Sequence, residues 1–249
     1  MRKPELVVFD IDGTLTRSKQ LLETEMAKLL SELLESYKVA LISGANFKQF
    51  KWQVLDQLTS SPERLENLYL LPATGTGFCR FEDTWQCHYD EEFSLDEKDR
   101  INKAFENIFK ESGLEKPEMN YGVVVEDRGA QLNFSAFGQD APIELKEKWD
   151  PDGEKRTKMI EVLHRSLPDF SIHFGGTTSI EVSREGIDKA YGLKKLMKET
   201  DISKEKILFI GDKLDKGGND APVLTLGIES LEVSNPEETK VLISKILAL

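Results

Sequence analysis

One pattern opens this chain, breaks off, and returns near its end. Short apolar runs at 6–9, 39–42 and 69–71 alternate with stretches whose apolar residues fall at helical spacing, such as Leu22, Met26, Leu29, Leu30 and Leu33. Parallel strands need a crossover between them, so this order predicts a parallel sheet with helices on both faces. Asn46, just after the Ser43-Gly44 turn, predicts the cap of a second helix running to about residue 58. From Asp188 the pattern resumes with a helix to about 200, a strand at 207–210 and a loop with a short helix around Asn219. An apolar segment near Leu226 and a last helix opened by Asn235-Pro236 complete it.

Between these stretches the character changes. Residues 78–81 and 85–89 read as a hairpin turned by Glu82-Asp83-Thr84, and Ser94 with Glu97 forms a capping box for a helix ending near Gly113. Strands are expected at 123–126 and 131–135, around the turn Asp127-Arg128-Gly129. A helix follows at 152–167, then a strand pair at 170–174 and 179–183. Hairpins packed with helices make an α+β unit. The expected architecture is α/β: a parallel-sheet core domain from 1–81 and 187–249, with an α+β domain inserted at 82–186. At 249 residues the chain is long enough for both parts to bury a core. Trp85 and Trp149 are assigned to packing of the insert and Trp52 to a helix face. The acidic run at 90–92 reads as solvated.

The net charge of −12 argues against nucleic acid or an anionic membrane as partner, while leaving room for a small anion held by a local cation cluster. Cys79 and Cys87 fit no zinc spacing and are expected to be reduced thiols. No apolar run approaches the roughly 20 residues that span a bilayer, and the N-terminus reaches Asp10 before a signal core can form. A cytoplasmic location is therefore expected. His88, His164 and His173 are scattered and suggest no metal cluster.

The chemistry gathers at the strand ends. In open α/β sheets, ligands bind beyond the C-terminal ends of the strands. Asp10 and Asp12 lie there after the first strand and Ser43 after the second. Asp212 follows 207–210, with Asp220 close behind. A lone D-x-D is usually a turn, and a lone Lys at a helix start is usually surface. Here every piece falls on one inferred edge. Carboxylates so close need a counter-ion, most simply Mg²⁺ with oxygen ligands. One carboxylate can then attack phosphorus, and a second can protonate the leaving oxygen. Lys189 sits in the first turn of a helix, where the dipole disfavours a cation. Neutralising a phosphoryl group explains its presence there.

These residues resemble the haloacid dehalogenase superfamily: VVFDIDGTLT as first motif, Ser43 in ALISGA as second, Lys189 as third, and the acidic motif of GD at 211–212 and ND at 219–220 as fourth. The resemblance spans the chain and implies a Rossmann-like core with a type-two cap that sets substrate specificity. Within that group "GIDKAYGL", "FIGDKLDKGGND", "GGTTSIEV" and "VEDRGAQLNFSAFG" look most like eukaryotic-type phosphomannomutases. The resemblance implies Asp10 as nucleophile and Mg²⁺ ligand, and Asp12 as general acid/base lending a backbone carbonyl to the metal. It further implies Ser43 and Lys189 on the phosphoryl group, Asp212 on the metal, and Asn219 and Asp220 in support. Gly44, Arg128, Ser179, Glu181 and Lys19 would meet a small phosphorylated substrate, which the resemblance implies is a sugar phosphate. A homodimer through the cap is implied too.

The chain also departs from that pattern. Gln139 stands where the mutases have an arginine, Ala141-Pro142-Ile143 where another is expected, Glu181 for an aspartate and Lys19 for an arginine. Lys146 or Lys148 could substitute, as point charges rather than forks. A depleted cap over an intact core favours a Mg²⁺-dependent phosphatase acting on a sugar phosphate or similar metabolite. The alternative is a phosphohexomutase interconverting hexose 1- and 6-phosphates, and the remote one a catalytically silent binding protein.

Overall fold

The computed structural model describes residues 3–89 and 92–249; the acidic run at 90–92 lies mostly outside these. In chain order the strands are β1 (Leu6–Asp10), β2 (Lys38–Ile42), β3 (Leu68–Leu71), β4 (Gly77–Glu82) and β5 (Thr84–Tyr89). Then come β6 (Val125–Asp127), β7 (Gln131–Ser135), β8 (Phe170–Phe174), β9 (Ser179–Arg184), β10 (Ile207–Gly211) and β11 (Glu229–Glu232). They form a seven-stranded sheet ordered β11-β10-β1-β2-β3-β4-β5 and a four-stranded sheet ordered β6-β7-β9-β8. The chain divides into two compact units, residues 1–90 with 187–249, and residues 91–186.

In the first unit β11, β10, β1, β2 and β3 run parallel. Alternation along β1 explains the two-sided packing. Val7 and Phe9 enter one apolar cluster with Leu30, Phe50 and Ile243, while Leu6 and Val8 enter another with Leu193 and Leu196. β4 and β5 extend the sheet as an antiparallel hairpin. The sequence places the first domain boundary at 81/82, but this hairpin shares the large sheet's hydrogen bonding, so Thr84–Tyr89 belongs to the first unit. Trp85 accordingly packs against Phe47 and Phe81 there and not in the insert.

The same register corrects the cysteines. Cys79 and Cys87 face each other directly across β4 and β5, with Cα atoms 4.1 Å apart, and are joined as a disulfide. Spacing in the sequence carries no information about strand register, so the expectation of two free thiols fails.

In the second unit Leu132 and Phe134 of β7 point into an apolar cluster with Ile101, Phe105, Met159 and Leu163. Gln131, Asn133 and Ser135 alternate onto the opposite face and are nevertheless buried. The capping box at Ser94 and Glu97 forms as expected, and Gly113 ends that helix in the left-handed region. A helix at Ile143–Trp149 was not legible in the sequence, and the next spans Glu154–Ser166. Trp149 packs edge-on against Phe137. No helix among the described residues is long and apolar enough to cross a membrane.

Candidate active site

The C-terminal ends of the neighbouring strands β1, β2 and β10 carry Asp10, Ser43 and Asp212 to one edge of the sheet. Asp10 is the last residue of β1 and is buried. Lys189, the first residue of the helix Lys189–Thr200, is buried too; its Nζ donates to Asp10 Oδ1 and to Asp220 Oδ1. The placement depends on two glycines. A Cβ on Gly75 would stand 2.3 Å from the Gly192 Cα, so only a glycine pair lets this helix approach the loop after β3 so closely. Asp220 Oδ2 accepts the Lys213 backbone N–H at 3.0 Å, so both its oxygens are occupied in holding the lysine and the loop after β10.

Asp212 completes the cluster. Carboxylate oxygens of Asp10, Asp212 and Asp220 lie within 4.8 Å of one another, and Asp212 Oδ1 is buried without a hydrogen-bond partner. Gly13 passes so near that a Cβ there would meet Asp212 Oδ2 at 2.2 Å. Three carboxylates thus face one buried ammonium, with the exposed Lys213 also acting on Asp212. Burial raises Asp10 to about 7; Lys189 opposes this, and Asp220 and Asp212 add to it. Burial also raises Asp212. Burial works against the charge of Lys189 as well, but Asp10 and Asp220 outweigh it and hold the ammonium above its ordinary range. The surplus negative charge, the hard oxygen donors and the orphaned Asp212 Oδ1 all fit a divalent cation.

Asp12 stands apart from that cluster, half-buried in the loop after β1. Its Oδ1 accepts the Lys19 backbone N–H at 2.7 Å and the Gln53 Nε2 at 2.9 Å. Lys19 therefore reaches the site through its backbone, a contact its residue type does not announce. Ser43 is buried after β2, where its Oγ accepts the Ala45 N–H at 3.2 Å and Gly44 follows half-buried. Asn219 is exposed, directly before the buried Asp220.

The insert carries a second polar group, on the face of its sheet away from the apolar cluster. Asn133 pairs with Glu126 on one side and Glu181 on the other. Arg128, almost fully buried, donates to Glu126 Oε2 from Nε at 3.1 Å and from Nη2 at 2.8 Å, and reaches Glu181 Oε1 at 3.4 Å. Gln131 donates to Glu181 Oε2 at 2.8 Å. Neither polar atom of the buried Asn133 side chain has a partner. Ser179 is buried at the start of β9. Lys146 donates to the Gln139 carbonyl at 2.7 Å, and burial lowers its pKa.

Residues 26–249 match the family model of eukaryotic phosphomannomutase. The chain belongs to the eukaryotic phosphomannomutase family. It is 30% identical to the phosphomannomutase of Saccharomyces cerevisiae over 99% of this chain and 96% of that protein. It is likewise 30% identical to that of Nicotiana benthamiana over 96% and 92%. Asp10 and Asp12 precede the span of the family model but fall inside a likeness that covers nearly the whole chain. A solved haloacid dehalogenase-like hydrolase from Bacteroides thetaiotaomicron shares the fold, with a TM-score of 0.64 and 16% identity over 98% of this chain and all of that one. The chain is accordingly an enzyme of the phosphomannomutase family.

Sequence reasoning missed several members of these groups, Glu126 and Asn133 among them. Thr16 and Gln53 surround Asp12, and Gln131 braces Glu181. Only Gln53 left a trace: it falls three residues after Phe50 and just before Val54, on the apolar side of its helix, where an amide is out of place.

Proposed function

We propose that this chain is a phosphohexomutase that carries the phosphoryl group between the 1- and 6-oxygens of a hexose through an aspartyl phosphate on Asp10. The observation that carries the reading is the buried Asp10–Lys189–Asp220 group, on a chain related to phosphomannomutases along its length. An Asp10 oxygen attacks phosphorus, while Lys189 and Ser43 hold the phosphoryl oxygens. Asp12 gives a proton to the leaving sugar oxygen and later takes one from the incoming hydroxyl. Asp10, Asp212 and the Asp12 carbonyl would hold Mg²⁺, which supplies charge neutralisation at the phosphoryl group. Asp220 orients Lys189. Arg128, Ser179 and Glu181 would receive the sugar phosphate in the inserted domain, and we assign that domain to substrate specificity.

A phosphatase reading keeps one specific support. Gln139 stands where the resemblance implies an arginine, and Arg128 is already engaged by Glu126 and Glu181, which leaves fewer cations for the distal phosphate of a bisphosphorylated intermediate. Mannose 1-phosphate with Mg²⁺ and a catalytic amount of hexose bisphosphate separates the two. Appearance of the 6-phosphate faster than inorganic phosphate supports the mutase. Phosphate release without isomerisation sinks it. Light scattering tests the homodimer that the family likeness suggests, and fractionation tests the cytoplasmic location.

A further inference from the structure

The helix Phe47–Gln53 ends on a glutamine that is fully buried. Phe50 and Val54 beside it belong to an apolar cluster, and an amide in such surroundings is costly unless its polar atoms are partnered. They are. Gln53 Nε2 donates to Asp12 Oδ1 at 2.9 Å and to Thr16 Oγ1 at 2.8 Å, and Oε1 accepts from Gln49 Nε2 at 3.0 Å. The Gln53 carbonyl accepts the Leu22 N–H at 2.8 Å. Asp12 Oδ1 takes its second donor from the backbone of Lys19, which holds φ at 52°, in the left-handed region that non-glycine residues seldom occupy. A strained residue and a buried amide thus converge on one carboxylate oxygen.

We infer that Gln53 is a positioning residue for Asp12. Two donors on Oδ1 fix the rotation of the carboxyl group and leave Oδ2 as the oxygen that carries the proton. As an Asp10 oxygen bonds to phosphorus, the ester P–O bond breaks and its electron pair goes to the sugar oxygen. That oxygen takes the proton from Asp12 Oδ2. In the second transfer Oδ2 recovers a proton from the attacking hydroxyl. The inference rests on Asp12 as the acid/base, as proposed above.

Leaving-group dependence tests it, because a sugar alkoxide needs a proton in order to leave and acetate does not. Phosphorylation of the enzyme by acetyl phosphate and turnover of mannose 1-phosphate are compared in Gln53→Met, Gln53→Glu and Asp12→Asn. Misplacing a general acid should cost a good part of its usual contribution, so both Gln53 variants should lose about 10- to 100-fold in kcat with mannose 1-phosphate. KM should hardly change, and the loss with acetyl phosphate should be much smaller. Labelling by acetyl phosphate also reports that each variant is folded; if Gln53→Met is not, Gln53→Glu decides. If Asp12→Asn loses both activities alike, the acid/base assignment falls. If Asp12→Asn separates the two phosphoryl donors but the Gln53 variants keep the sugar rate, or lose both equally, the inference about Gln53 is overturned.

Discussion

The two sheets each gather buried charge on one side, and they settle it differently. At the strand ends of the large sheet, three carboxylates share one ammonium, and a carboxylate oxygen of Asp212 is left without a partner. On the polar face of the small sheet, Arg128 is enclosed by Glu126, Glu181 and Gln131, and the unpartnered group is the neutral amide of Asn133. The first arrangement lacks positive charge and is chemically unfinished without a cation. The second is internally paired and offers hydrogen bonds more than charge. A site that makes and breaks bonds to phosphorus needs the first kind of imbalance, while a surface that distinguishes substrates can be built from the second.

The sharpest way to break this contrast is at Asp10. Asp10→Asn removes the proposed nucleophile while nearly preserving shape, and turnover should fall by about 10⁴-fold or more; survival of phosphoryl-enzyme formation in this variant would overturn the mechanism. Lys189→Met leaves buried carboxylates unpaired and should destabilise the protein by about 3–5 kcal/mol, read by denaturant unfolding. A divalent cation should act in the opposite direction. At about 100 times its Kd it contributes about 2.7 kcal/mol, seen as a raised Tm that chelator reverses and that Asp212→Asn diminishes.

Effects in the inserted domain should be smaller. Arg128→Lys keeps the charge but loses the fork, and should raise KM for the sugar phosphate about tenfold with kcat largely spared. A kcat loss equal to that of Asp10→Asn would erase the distinction between the two sheets. Smallest is a pH effect. Arg184, with hydrogen bonds from Ser94, lowers Glu97 from an ordinary 4.5 to about 2. A carboxylate with a lowered folded pKa contributes stability above its unfolded pKa and loses it as the pH falls through its folded one. Stability should therefore decline between pH 4.5 and about 2, and Arg184→Met should flatten that decline in denaturation curves taken across this range.

The large-sheet site was legible because its parts sit at strand ends, and strand ends are marked in sequence by apolar runs. Asp10, Ser43 and Asp212 fall on one edge from the order of apolar runs alone. What could not be read was the partner of each group. That Asp220 clamps Lys189 and that Gln53 braces Asp12 depend on side chains meeting across 31 and 41 residues of chain, and the residue type of Lys19 does not announce that its backbone serves Asp12. In the insert, Arg128 was singled out, but its enclosure follows from the register of β6, β7 and β9, which alternation alone does not specify. The helix Ile143–Trp149 was missed for a related reason: seven residues with three apolar positions give too short a periodic signal.

The disulfide across the hairpin bears on how the large sheet ends. β5 is one outer strand of that sheet, and its outer backbone groups form an open edge of the kind that recruits other chains. Sliding β5 by one residue against β4 would carry Cys87 to the opposite face of the sheet from Cys79. The covalent bond thus forbids the slip, and the side chains of residues 84–88 keep their assigned faces. The opposite edge is guarded by other means: β11 is only four residues long and carries glutamates at both ends. One border is locked in register and the other is short and charged, and both discourage the sheet from growing.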